Sequence, residues 1–147
     1  QQMEKNKDTW LLVGDLGYGM MDYIRRDFPE RSINCGASEQ AMLGIAVGLS
    51  QENKVPFCYS ITPFLLYRPF ETILNYLHHE QANVKLVASG RDMDYLRDGY
   101  SHWSTEARAI LGLLDIETYW PDTKEEIPAV VSTMLDSKNP GFLSLRR

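Results

Sequence analysis

Short apolar runs alternate with longer stretches of helical spacing along almost the whole chain. Runs at 10–13, 32–35, 55–60, 84–88, 116–119 and 142–145 are strand-length and nearly continuously apolar, the pattern of strands buried on both faces. Between them, 20–27, 39–50, 64–79, 105–113 and 124–135 carry apolar residues three or four positions apart, as amphipathic helices do. This alternation predicts βαβ units: an α/β fold, doubly wound, with a mainly parallel six-stranded sheet and helices on both faces. In the third helix Phe64, Tyr67, Phe70, Ile73, Leu74 and Leu77 form one stripe, and Thr62-Pro63 reads as a cap followed by a first-turn proline. The polar residues 1–9 predict a disordered N-terminal segment, leaving one domain over 10–147.

Composition narrows the function without choosing it. The chain has 147 residues, 44% hydrophobic and 24% charged, an ordinary globular balance for one domain. Fifteen Lys and Arg against twenty Asp and Glu leave a net charge of -5, which argues against nucleic acid as a partner. Cys35 and Cys58 form neither a disulfide framework nor a metal-knuckle spacing and suit a reducing compartment. No apolar run approaches the ~18 residues of a membrane span, and no basic-then-apolar leader opens the chain. The expectation is a soluble, cytoplasmic protein with no membrane partner.

In a doubly wound sheet, ligands sit beyond the carboxyl ends of the strands. After the first run comes Gly14-Asp15-Leu16-Gly17-Tyr18-Gly19, a tight glycine turn that matches neither G-x-G-x-x-G nor a P-loop. After the second comes Gly36-Ala37-Ser38-Glu39-Gln40, opening a helix rich in small residues (Ala41, Gly44, Ala46, Gly48). Such residues suit close packing against another backbone. Glu39 in the first turn has two readings at this point, a dipole-favoured carboxylate or a chemical group. The long stretch 89–103 lacks apolar periodicity and carries Arg91, Asp92, Asp94, Arg97, Asp98 and His102; loops of this length are often functional. His78-His79 ends a helix, where the dipole favours cations. No metal cluster or Ser-His-Asp triad can be assembled.

Taken together, these segments resemble the pyrimidine-binding domain of the transketolase family of thiamine diphosphate enzymes. The strongest stretch is Ile33-Asn34-Cys35-Gly36-Ala37-Ser38-Glu39-Gln40-Ala41-Met42, then Gly44-Ile45-Ala46-Val47-Gly48-Leu49. It is similar to the family's G-x-x-E-Q … A-x-G-L helix. Asp15-Leu16, then Phe64, Tyr67 and Arg68, then Asp98-Gly99-Tyr100-Ser101-His102, then Pro121-Asp122 with Glu125, and finally 140–147 follow in family order.

The resemblance implies a role for each matched residue. Glu39 matches the glutamate that hydrogen-bonds the cofactor's aminopyrimidine ring and drives the imino tautomer that removes the thiazolium proton. Phe64 and Tyr67 match aromatic positions of the pyrimidine pocket. Ile61 takes a third position that is aromatic in many relatives. Asp15 matches an aspartate near the cofactor at a subunit interface. Asp98 and His102 match residues that face the sugar's hydroxyls and carbonyl, and Arg147 a sugar-phosphate arginine; Glu39 and His102 are the catalytic pair.

Departures are also visible. Gly90 stands where many transketolases carry a substrate histidine, Gly19 where they carry a phosphate-contacting serine, and Ala107 where an Asp follows Glu106; these argue against a standard pentose-phosphate acceptor. The family's diphosphate and Mg2+ motif, G-D-G followed by N, does not occur in these residues. The resemblance therefore implies half a site, completed by a diphosphate-binding transketolase-like subunit that holds Mg2+, most simply in a heterotetramer. The expected activity is ketol transfer between sugars or sugar phosphates. The alternatives are a subunit for 2-oxo acid decarboxylation or dehydrogenation and a non-catalytic assembly module.

Overall fold

The structure is a computed structural model and describes residues 2–147. Six strands, β1 (Thr9–Val13), β2 (Ser32–Asn34), β3 (Val55–Ile61), β4 (Lys85–Ser89), β5 (Glu117–Tyr119) and β6 (Gly141–Leu145), form one sheet in the order β2-β1-β3-β4-β6-β5. Every pairing is parallel. All seven residues of β3 are buried, as its continuous apolar run requires of a strand covered on both faces. The edge strands β2 and β5 are only partly covered.

Alternation along the strands sends side chains to two cores. Leu12, Cys58, Leu86 and Phe142 lie side by side in register across four strands and are fully buried. They pack under α3 (Glu39–Gln51), α4 (Thr62–Tyr67), the wide turn Ile73–His79 and α6 (Ala107–Leu111). Leu11, Val13, Tyr59, Phe57 and Leu143 face the other way, beneath α2 (Asp22–Asp27) and α7 (Ile127–Asp136). The predicted doubly wound α/β architecture is therefore present, with all strands parallel.

Several elements differ from their sequence-based expectation. The helix expected over 64–79 comes in pieces. After α4, Pro69 removes a backbone donor, a short α5 (Phe70–Thr72) follows, and Ile73–His79 is wound as a π-helix whose end is marked by Glu80 N–H donating to Asn75 O. Thr62 is the first helical residue rather than the cap, and its hydroxyl donates to Ser89 O (3.1 Å) and Gly90 O (2.6 Å). Helix α2 starts at Asp22 because Gly17 and Gly19 take positive φ and Asp22 accepts the Gly19 N–H. Of the segment 1–9 expected to be disordered, Gln1 lies outside the described residues, and the rest is placed otherwise. Gln2–Lys5 forms a helical turn (α1), Met3 is buried against Leu11, Val13 and Tyr59, and the Arg31 guanidinium donates to the carbonyls of Met3, Asn6 and Thr9. Those backbone oxygens follow no sequence pattern, so composition alone could not foresee the anchor.

Candidate active site

Strand β2 lies on one side of β1 and β3 on the other, so the strand order reverses at β1 and β3 while all strands stay parallel. Such a switch point opens a crevice at the carboxyl ends of the two strands. Gly14 follows β1 there, Ser60 and Ile61 end β3, and the first turn of α3 delivers Glu39. Glu39 is 1% exposed. Its Oε1 accepts from the Ser60 hydroxyl at 2.8 Å and its Oε2 from Arg68 Nη1 at 2.6 Å. Buried carboxylate oxygens need such hydrogen-bond partners, and the start of α3 adds a favourable dipole. Gly14 makes the arrangement possible, since a Cβ there would come within 3.0 Å of Glu39 Oε1 and 3.1 Å of Ser60 Oγ.

From Glu39 the contacts run outward. The Arg68 guanidinium covers the Phe64 ring, its carbon 3.9 Å from the centroid. His102 meets the same ring edge-on, with centroids 4.9 Å apart, and shares a 3.1 Å hydrogen bond between Nδ1 and the Ser101 hydroxyl. Tyr95 lies 6.1 Å from His102, its hydroxyl hydrogen-bonded to that of Ser89 at 2.9 Å. Arg147 reaches over the Tyr95 ring at 4.8 Å and pairs with Asp98 at 3.8 Å. Glu39, Phe64, His102, Asp98 and Arg147, far apart in sequence, thus form one connected cluster.

Other expected residues lie at its margins. Ile61 is buried at the junction of β3 and α4. Tyr67 shares a face with Phe64, and its hydroxyl is buried without a hydrogen-bond partner. Burial pushes that phenol's pKa up. Asp15 is exposed with φ +56°, joined to Glu39's surroundings through Gly14. Its carboxylate accepts from Tyr18 and from Asn34 Nδ2, and these bonds, Tyr18's first, hold its pKa below the usual carboxylate range.

The loop 90–104 that carries Asp98 and His102 is stitched at its base. Gly90 O accepts from Thr62 and, at 3.2 Å, from Ser104 Oγ, while Ser104 N–H donates to Asp92 O at 2.7 Å. Gly90 has φ +85°, and a Cβ there would overlap Tyr95 Cε2 at 2.3 Å; the tyrosine ring fills the space that a side chain at 90 would need. Arg91, 2% exposed, donates to Ser144 Oγ and O, Pro121 O and Asp122 Oδ1. The sequence singles out neither Ser60 nor Tyr95, and it places Gly14 only in a tight turn and Arg91 only among the polar residues of a long loop. For Ser60 a signal existed, a small hydroxyl next to the end of a continuously buried strand.

The curated proteins and solved structures agree on one family. The transketolase pyrimidine-binding domain family matches the chain over residues 1–147. A protein of Methanocaldococcus jannaschii described as a transketolase C-terminal section is 32% identical over 98% of the chain. A 6-deoxy-6-sulfo-D-fructose transketolase subunit of a Clostridium species is 28% identical over 96%. The chain spans about half of those relatives, 46% and 45% of their lengths. Among solved structures, a split-gene transketolase described as an inactive β4 tetramer superposes with a TM-score of 0.85 at 28% identity, covering 99% of this chain and 48% of that one. The parallel sheet and the switch point between β1 and β3 define an open α/β domain with the fold of a transketolase pyrimidine-binding domain. The chain belongs to the transketolase family, as its pyrimidine-binding domain.

That family implies thiamine diphosphate as cofactor, and the residues present fit its aminopyrimidine end. A buried carboxylate is joined through Arg68 to the face of the Phe64 ring, and the missing side chain of Gly14 leaves room beside Glu39 Oε1. Among the described residues no three His, Cys, Asp or Glu side chains converge on a metal site, and no helix is long and apolar enough to cross a membrane.

Proposed function

We propose that this chain is the pyrimidine-binding part of a split, thiamine diphosphate-dependent transketolase-like enzyme that transfers a two-carbon ketol unit between sugars. The active site is shared with a diphosphate-binding partner chain that holds Mg2+, most simply in a heterotetramer with two copies of each. The observation that carries this reading is Glu39, a buried carboxylate at a sheet switch point, bridged by one guanidinium to Phe64. Bound there, thiamine diphosphate supplies the electron sink for the ketol carbanion.

The chain's own residues bind and orient. Glu39 holds the proton exchanged at the aminopyrimidine ring nitrogen, and Ser60, donating to Oε1, fixes the carboxylate's rotamer. Phe64 offers a stacking face, Ile61 and Tyr67 complete the wall, and Asp15 lies beside the cofactor near the partner. Across Phe64, His102 faces the sugar's carbonyl and Asp98 its hydroxyls. Arg147 takes an anionic substituent, in keeping with relatives named for a sulfo-sugar and for apulose 4-phosphate. An exposed face of α3, with Ala41, Gly44, Ile45 and Gly48 turned outward, is the surface for close packing by the partner.

Glu39→Gln tests the reading. In the assembled enzyme this change should abolish ketol transfer while leaving co-purification with the partner intact. Substantial residual turnover would remove Glu39 from the chemistry.

A further inference from the structure

We propose that Arg68 is a self-ligand of the pyrimidine site, a resident guanidinium that holds the seat between Glu39 and Phe64 and must swing out when an aminopyrimidine ring enters. The inference rests on the assignment of Glu39 and Phe64 to that ring. Arg68 directly follows α4, and its side chain turns back so that Nη1 donates to Glu39 Oε2 at 2.6 Å while its carbon lies 3.9 Å from the Phe64 centroid. The aminopyrimidine asks for the same two contacts, a stacked face on Phe64 and a hydrogen bond at the carboxylate.

The two groups resemble each other in what this seat recognises. Both are planar and delocalised and carry N–H donors along an edge. One group already bridges Oε2 and the ring, and a second flat group making the same pair of contacts would need the same volume. Oε1 is already engaged, since the Ser60 hydroxyl donates to it at 2.8 Å, so the contact open to exchange is the one Arg68 makes at Oε2.

Arg68 is also the member of the cluster best able to leave. Its side chain is 45% exposed against 1% for Glu39, and among the described residues it makes no other hydrogen bond or ion pair. While seated, it gives the buried carboxylate a hydrogen-bonded cation, which such a group requires. Entry of the ring then exchanges one planar donor for another and returns the guanidinium to water.

Affinity for thiamine diphosphate, measured by calorimetry with Mg2+ on the enzyme assembled with its partner, tests this without reading activity. Arg68→Ala and Arg68→Met, the second keeping an apolar stem over Phe64, should each bind about tenfold more tightly than the wild type, because no guanidinium is displaced. Millimolar methylguanidinium should weaken binding competitively in Arg68→Ala and leave the wild type unchanged. Equal or weaker binding by both variants, with Glu39→Gln still losing affinity, would overturn the self-ligand and leave the assignment of Glu39 standing. If Glu39→Gln binds as the wild type does, or if none of the proteins binds, the assignment itself is wrong and the proposal falls with it.

Discussion

Glu39 stays buried because a hydroxyl, a guanidinium and the missing side chain of Gly14 divide the space around it. Neither oxygen is left bare, and Gly14 supplies clearance rather than contact. A methyl group at position 14 would press on both Glu39 Oε1 and Ser60 Oγ. Gly14→Ala should therefore raise the Kd for thiamine diphosphate by roughly tenfold, about 1.4 kcal/mol, with the fold intact by circular dichroism. Calorimetry on the assembled enzyme checks this. The glutamate's place was legible in the sequence, as a carboxylate opening a helix just after a strand, though position alone left open a dipole-favoured carboxylate and a chemical group. Its partners were not legible, because Ser60 and Arg68 lie 21 and 29 residues away and meet it only through the reversal of strand order. Arg91 shows the same limit more sharply, since an arginine in a polar loop reads as solvated, yet it is buried under carbonyls whose positions depend on β6 and the chain after β5.

At the scale of elements, the strands followed their apolar runs to within a residue or so, since burial on both faces writes itself into composition. The segment 64–79 kept the right apolar stripe, but Pro69 and the π turn after it divide one expected helix. The stretch 89–103 stands out in the sequence by its missing periodicity. Its closure does not, because that depends on one carbonyl, Gly90 O, accepting from residues on either side of it in sequence. Thr62→Val removes the donation to Ser89 O and Gly90 O while keeping the side chain's shape. It should cost about 1–2 kcal/mol of stability, and amide exchange across 90–104 should quicken more than in α3. Equal exchange in the two would show that Ser104 and Arg91 hold the loop without Thr62.

In the whole molecule, the two ends of the parallel sheet do different work. The carboxyl end carries Gly14, Ser60, Gly90 and Arg147, all parts of or next to the proposed site. At the amino end Lys54 pairs with Asp8 at 2.7 Å, and Lys85, fully buried, donates to the carbonyls of Ser137 and Asn139 in the turn between α7 and β6. Burial lowers the Lys85 pKa to about 8, Glu117 opposing the shift and Lys138 adding to it. Below about pH 8 the folded and unfolded chains both hold this proton, and the folded state bears the full cost of a buried ammonium. Between about pH 8 and 10.5 the unfolded chain keeps the proton and the folded one sheds it, so this group makes stability rise with pH across that window. The rise is on the order of 3 kcal/mol, and it should vanish in Lys85→Met when urea unfolding of the two proteins is compared from pH 7 to 10.5.

The separation of the two ends has a practical side. A linker, an affinity handle or a dye attached beside Asp8 or Lys54 would leave from the rim opposite Glu39. A surface coated through that rim would hold the protein with its crevice facing the bulk liquid, open to small molecules and to a docking subunit alike.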